Sequence, residues 1–135
     1  KYKNLRKDST KGNIFVAGFA FKGSPVTADL RDSTTITLIN EILNISNINI
    51  IGYDPIVDPN EIMEIRGVSS VRTEVSFENI DILIIANNHE SYKDWNLIDI
   101  VSTMNKPSII YDGWSMLNYN LLEKSNDVTY MGPGL

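Results

Sequence analysis

The sequence predicts an α/β fold built on a mostly parallel sheet. Three observations carry that expectation. Short, continuous apolar runs recur at 13–20, 48–53, 81–86 and 108–111, as in strands covered on both faces. Stretches with apolar residues at helical spacing lie between them, for example Ile36, Ile39 and Leu43. Compact turn signals, rather than long linkers, separate the two patterns.

The elements follow in order. Residues 13–20 (Asn-Ile-Phe-Val-Ala-Gly-Phe-Ala) read as a buried first strand. The loop Phe21-Lys22-Gly23-Ser24-Pro25 carries Gly and Pro punctuation. A helix begins near Asp32 or Ser33, both good capping residues, with Leu38 and Ile42 widening its apolar face, and ends within Asn44 to Asn47. Residues 48–53 form a second strand, stopped by Asp54-Pro55. Asp58 then caps a short helix with Pro59 at its first position, a favoured arrangement because proline has no N–H to satisfy there. That helix ends by Gly67.

Residues 69–73 suit an edge strand, and Ser76 to Asn79 one helical turn. The next strand, 81–86, gives the clearest apolar run. A helix is expected over 94–104, packing through Trp95, Leu97, Ile98 and Val101. A strand at 108–111 ends at Asp112-Gly113, a short helix covers Leu117 to Lys124, and a last strand runs from Asp127 to Met131. The first and fourth strands are the most apolar and belong at the centre, which predicts the order 3-2-1-4-5-6. With right-handed crossovers, the result is a Rossmann-like three-layer sandwich of about six strands. One domain over 12–135 accounts for the pattern, preceded by a basic, flexible segment at 1–11.

Composition narrows the function. The chain has 135 residues, 42% of them hydrophobic and 21% charged, which is ordinary for one globular domain. It has no cysteine and one histidine. A disulfide framework, a thiolate zinc site, a cysteine nucleophile and a multi-histidine metal site are thereby excluded. Apolar runs stay far below the ~18 to 20 residues of a membrane span, and Lys1 to Gly12 lacks the apolar core of a signal peptide. A cytoplasmic protein without membrane contact is expected.

The formal net charge is −5, which argues against a nucleic-acid partner. The charge is unevenly placed. Residues 1–31 hold seven basic residues against Asp8 and Asp29, a net +5, while the remainder holds five basic and fifteen acidic residues, a net −10. A local positive field on an acidic body suits a small anionic ligand.

In sheets of this kind ligands bind beyond the carboxyl ends of the strands, where the strand order switches. The loop after the first strand, Gly18-Phe19-Ala20-Phe21-Lys22-Gly23-Ser24-Pro25, lies there. It is neither the dinucleotide fingerprint G-x-G-x-x-G nor a P-loop. It is longer than the ~2 to 6 residues usual for such a turn. Lys22 offers a cation to a phosphate or carboxylate, Arg31 can fork onto an anionic oxygen pair, and Phe21 can stack on a base. The alternative is a solvated Lys22, a core Phe21, and Arg31 paired with Asp29 or Asp32. Asp54 stands where dinucleotide folds place a ribose-binding acid, or else caps the turn before Pro55. His89, and Asp112-Gly113-Trp114, also fall at the ligand end, with capping, turn and packing as their structural readings. No pair or triplet has the spacing of a catalytic dyad or triad.

From Gly18 to Ser33 the sequence resembles the C-terminal, UDP-binding domain of the UDP-glucose/GDP-mannose dehydrogenase family. The family pattern G-x-x-F-K, a gap, then D-x-R-x-S is matched by Gly18, Phe21, Lys22, Asp29, Arg31 and Ser33. Tyr53-Asp54-Pro55, Asp81, His89, Asp112-Gly113 and a glycine-containing tail after Tyr130 follow in the family's order. The resemblance implies a nucleotide-sugar 6-dehydrogenase, which oxidises the sugar C6 alcohol to a carboxylate in two NAD-dependent steps through a cysteine thioester. It implies that an N-terminal Rossmann domain holds NAD and the cysteine, and that the full-length enzyme is a homo-oligomer in polysaccharide biosynthesis. It implies that Phe21 and Lys22 contact the UDP-sugar and that Arg31 reaches toward the cofactor. One departure stands out: the UDP-glucose branch carries arginine where this chain has Trp114, which favours a UDP-N-acetylhexosamine. Without a cysteine or a G-x-G-x-x-G turn, these 135 residues are expected to bind but not to catalyse. Two other classes remain open at this point: a stand-alone nucleotide-binding regulatory module, and a structural or oligomerising α/β domain.

Overall fold

A computed structural model describes residues 12–20, 29–30, 33–45, 47–71, 75–122 and 127–133. The expected basic segment at 1–11 lies outside them. Six strands form one sheet: β1 (Gly12–Ala17), β2 (Ile48–Tyr53), β3 (Val68–Ser70), β4 (Ile82–Ile85), β5 (Ser108–Asp112) and β6 (Val128–Met131). Their order is β3-β2-β1-β4-β5-β6, and every pairing is parallel. The helices are α1 (Thr34–Ile45), α2 (Pro59–Met63) and α3 (Leu97–Thr103), with 3₁₀ segments at Glu90–Asp94 and Tyr119–Leu122.

Both faces of the sheet are covered, so the central strands have no polar side. Alternation along β1 sends Ile14 and Val16 to one face, where they meet Ile39 of α1 and Ile62 of α2. Phe15 and Ala17 go to the other face, joined by Leu83, Ile85 and Ile110 and covered by Leu97, Ile100, Val101 and Met104. β1 and β4 are buried because they are central, as their continuous apolar sequences require. Asp81, just before β4, braces the amino end of the sheet. Its carboxylate accepts from the Asn13 N–H at 2.9 Å and the Asn105 amide at 3.1 Å.

The expected elements differ from the observed ones in four places. β1 stops at Ala17 rather than residue 20, because Gly18 turns the chain at φ +111°. Residues 76–79 are a turn, with Asn79 at φ 64°, not a helical turn. The expected helix over 94–104 is present as α3 but starts later, at Leu97, with only Asp94 in the preceding 3₁₀ segment. Asn96 sets that start, since its side chain accepts from the Ile98 and Asp99 N–H groups. Once α3 begins at Leu97, its buried positions are Leu97, Ile100 and Val101, and Ile98 is 54% exposed instead of packed. Finally, the described part of Leu117 to Lys124, residues 117–122, holds the 3₁₀ segment Tyr119–Leu122 rather than a helix.

Asp58 caps α2 as expected, accepting from the Asn60 N–H at 2.8 Å with Pro59 behind it. Phe15 is fully buried between Tyr53 and Phe77, whose ring centroids lie 6.2 and 4.9 Å away. Phe15→Ala should therefore lower stability by about 3 to 5 kcal/mol, as read from urea denaturation midpoints at unchanged slope.

Candidate functional site

The strand order changes direction between β1 and β4, and the carboxyl ends of β1, β2, β4 and β5 meet there. The chain leaves β1 through Gly18, whose N–H donates to the Tyr53 carbonyl at 2.8 Å. A Cβ on Gly18 would lie 2.6 Å from the Asn87 backbone nitrogen, so the turn demands glycine both for its φ and for space.

The next two residues fasten to Asp54. Its Oδ2 accepts from the Phe19 and Ala20 N–H groups at 2.8 and 2.9 Å and from the Asn87 side-chain amide at 3.2 Å. Its Oδ1 accepts from the Ile56 and Val57 N–H groups at 2.8 and 3.0 Å. The carboxylate is buried, and this set of donors replaces its lost water. Behind it, the Tyr92 hydroxyl donates to Asn87 Oδ1 at 2.9 Å. Burial, then the Asp54 charge, then Tyr53, push the Tyr92 phenol well above its ordinary range. Burial and the Asp54 charge also raise Tyr53.

The start of α1 is tied to the same place. The Ser33 hydroxyl donates to the Phe19 carbonyl at 2.8 Å, and the Thr35 hydroxyl donates to the Gly18 carbonyl at 2.7 Å. Residues 18–20 and 33–35 are thus held against one another. Phe21, Lys22 and Arg31, the binding residues expected from sequence, fall between these two anchors and lie outside the described residues.

A second buried carboxylate, Asp112, organises the end of β5. It accepts from the Trp114, Met116 and Leu117 N–H groups at 3.3, 3.0 and 2.8 Å and from the Tyr130 hydroxyl. Burial and that hydrogen bond raise the Tyr130 phenol. The turn projects Trp114 outward. Its ring is half exposed, and its indole N–H donates to the Ala86 carbonyl at 3.2 Å. Packing was one reading of Trp114, but the ring instead borders a groove of about 480 Å³ with Thr34, Thr35, Leu38, Ala86, Tyr111 and Gly113. A comparable cavity of about 510 Å³ lies at the opposite end, between the starts of β1 and β2 and residues 63–69, far from the switch in strand order.

His89 caps the 3₁₀ segment, as its structural reading expected. Its Nδ1 accepts from the Ser91 N–H at 3.1 Å and starts the 3₁₀ segment. Among the described residues no group of acids and histidine could hold a metal, and no helix is long and apolar enough to cross a membrane. The described residues do not fit NAD either. The turn after β1 has one glycine packed on Asn87, and Asp54 is saturated by its own backbone donors instead of facing a ribose. Sequence reasoning missed Asn87, Tyr92 and Thr35. The available signal for Asn87 was its place in the turn just past β4, at the ligand end of the sheet.

The profile of the UDP-glucose/GDP-mannose dehydrogenase family's UDP binding domain matches residues 15–119. The chain belongs to this family. It is 28% identical over 117 residues to the UDP-N-acetyl-D-glucosamine 6-dehydrogenase of Salmonella typhi, covering 86% of this chain and 25% of that protein. Its fold matches a UDP-D-ManNAc dehydrogenase from Pyrococcus horikoshii with a TM-score of 0.65 and 25% identity, over 91% of this chain and 25% of the other. The UDP-N-acetyl-mannosamine dehydrogenase Cap5O from S. aureus shares the fold at a TM-score of 0.63 and 19% identity, over 96% of this chain and 28% of the other. The chain therefore spans about a quarter of the length of these relatives.

Two outcomes follow for this UDP-binding domain. Asp54→Ala strands the Phe19, Ala20 and Val57 N–H groups in the interior, and should cost more than about 3 kcal/mol, measured by chemical denaturation. Tyr92 has a folded pKa raised above its ordinary value of 10.0. Its contribution to stability is complete below that value and is lost as pH rises above it. Melting temperature should fall above pH 10, and Tyr92→Phe should fall less steeply over the same range.

Proposed function

We propose that this chain is the nucleotide-sugar-binding part of an NAD-dependent UDP-sugar 6-dehydrogenase, acting on a UDP-N-acetylhexosamine. The Gly18 to Ser33 motif carries the reading. Its two ends are joined by the Ser33–Phe19 and Thr35–Gly18 hydrogen bonds, so the intervening residues leave and return to one point at the ligand end of the sheet. In this reading Lys22 meets the diphosphate as a point charge and Phe21 covers the nucleotide sugar. Arg31 supplies a guanidinium to the anionic part of an NAD held outside these residues. The reacting alcohol is oxidised elsewhere in the enzyme, because the chain has no cysteine and its switch point does not fit a dinucleotide. The isolated chain binds and does not turn over.

Support for an N-acetylated sugar comes from the named relatives, whose substrates by name are UDP-N-acetylhexosamines. The partners in this reading are the UDP-sugar, the remainder of the same enzyme and further copies of it, in the cytoplasm and in the service of polysaccharide synthesis.

Titration with UDP, followed by amide chemical shifts, tests the assignment. Shifts should concentrate at residues 18–22 and 29–35, and Lys22→Ala should weaken UDP by about tenfold, the loss of one charge-assisted hydrogen bond. Unmoved amides at millimolar UDP would overturn the reading.

A further inference from the structure

We propose that Trp114 is the stacking platform for the nucleobase of the bound nucleotide sugar, in the groove between the start of α1 and the ends of β4 and β5. The inference rests on the nucleotide-sugar reading above and adds a residue and an orientation to it.

Three observations carry it. First, the Trp114 ring is exposed yet held. Half of its surface faces solvent, while its indole N–H is fixed on the Ala86 carbonyl. Its backbone N–H is fixed on Asp112. A large aromatic ring tied at two points and left open on one face loses little further freedom when a ligand stacks on it. Gly113 permits the geometry, since a Cβ there would lie 3.0 Å from the Ile85 carbonyl and 3.3 Å from the Tyr111 ring.

Second, the groove has the size of a ligand site. Its volume of about 480 Å³ falls in the ~300 to 1,000 Å³ range of small-molecule pockets.

Third, its lining selects which part of the ligand enters. Thr34, Thr35, Leu38, Ile84, Ile85, Ala86, Tyr111, Gly113 and Trp114 include no charged side chain. A diphosphate gains nothing there. The lining also includes no carboxylate, imidazole or amine to move a proton, so the reacting sugar carbon gains nothing either. The uncharged, unreactive ring of the ligand is the base, and base–aromatic stacking is worth about 1 to 3 kcal/mol.

The chain has two tryptophans, which makes the test direct. Trp95 packs against Tyr53, Phe77 and Tyr92 on the far side of the sheet core, so a Trp114→Phe protein reports Trp95 alone. The full chain is titrated with uridine, UDP and UDP-N-acetylglucosamine by calorimetry and by tryptophan emission. Uridine and UDP should both quench the emission, and the quench should vanish in Trp114→Phe. Trp114→Ala should weaken UDP by about tenfold at unchanged melting temperature, and Trp114→Phe, which keeps a ring, by less than about threefold.

Calorimetric binding of UDP with silent emission and an unchanged Trp114→Ala affinity would overturn the platform while leaving the nucleotide-sugar reading intact. Quenching by the UDP-sugar but not by uridine or UDP would overturn the base assignment in favour of the hexose. Absence of heat with every ligand would overturn the nucleotide-sugar reading and the platform with it.

Discussion

The Asp54 carboxylate, buried just past the end of β2, accepts hydrogen bonds from Phe19, Ala20, Ile56, Val57 and Asn87. A buried charge is tolerated only when its lone pairs are filled. Filling them draws three separate stretches of chain to one point: the exit from β1, the turn after β2 and Asn87 in the turn after β4. None of the three could shift alone without leaving an unmet donor or acceptor in a low-dielectric site. The switch in strand order is therefore a rigid junction rather than a loose meeting of loops. Tyr92 extends the same network toward the aromatic cluster of Phe77 and Trp95, which ties the ligand end to the core below α3.

Asp112 repeats the device at the end of β5, with Met116, Leu117 and Trp114 N–H groups and the Tyr130 hydroxyl as donors. In both cases a strand-terminal acid that sequence rules place near a ligand is consumed by the protein's own backbone. What these acids supply is position. Asp54 fixes Phe19 and Ala20, immediately before the motif residues. Asp112 fixes the turn that sets Trp114 beside its groove. An acid at a strand end and a ligand-binding residue can thus be neighbours in sequence and still do different work.

The parts that were legible in the sequence share a physical origin. β1 and β4 could be placed at the centre because a strand buried on both faces has to be apolar at every position. Asp58-Pro59 announced α2 because a cap and a missing N–H satisfy helix-end donors locally. The helix at 94–104 was started too early for a comparable reason. Apolar spacing registers a helical stretch but not the Asn96 side chain that caps its first turn. The one-residue choice of start then put Ile98 in solvent. The Gly18 to Ser33 motif was legible as a family pattern, while the closure of its two ends by Ser33 and Thr35 was not, since those hydroxyls act on backbone carbonyls about fifteen residues away.

The sequence by itself determined the parallel α/β fold, the strand order and the family, because each is written in local apolar patterning or in contiguous motif residues. It also determined that no thiolate chemistry can occur on this chain, since it has no cysteine. The tertiary structure alone decided the roles of the polar residues at the strand ends. Asp54 and Asp112 became internal braces, His89 a cap, and Trp114 an exposed ring beside a groove. Each of those outcomes depends on which donors, acceptors and free volume are brought from distant parts of the chain, and a side chain's own identity does not specify its neighbours.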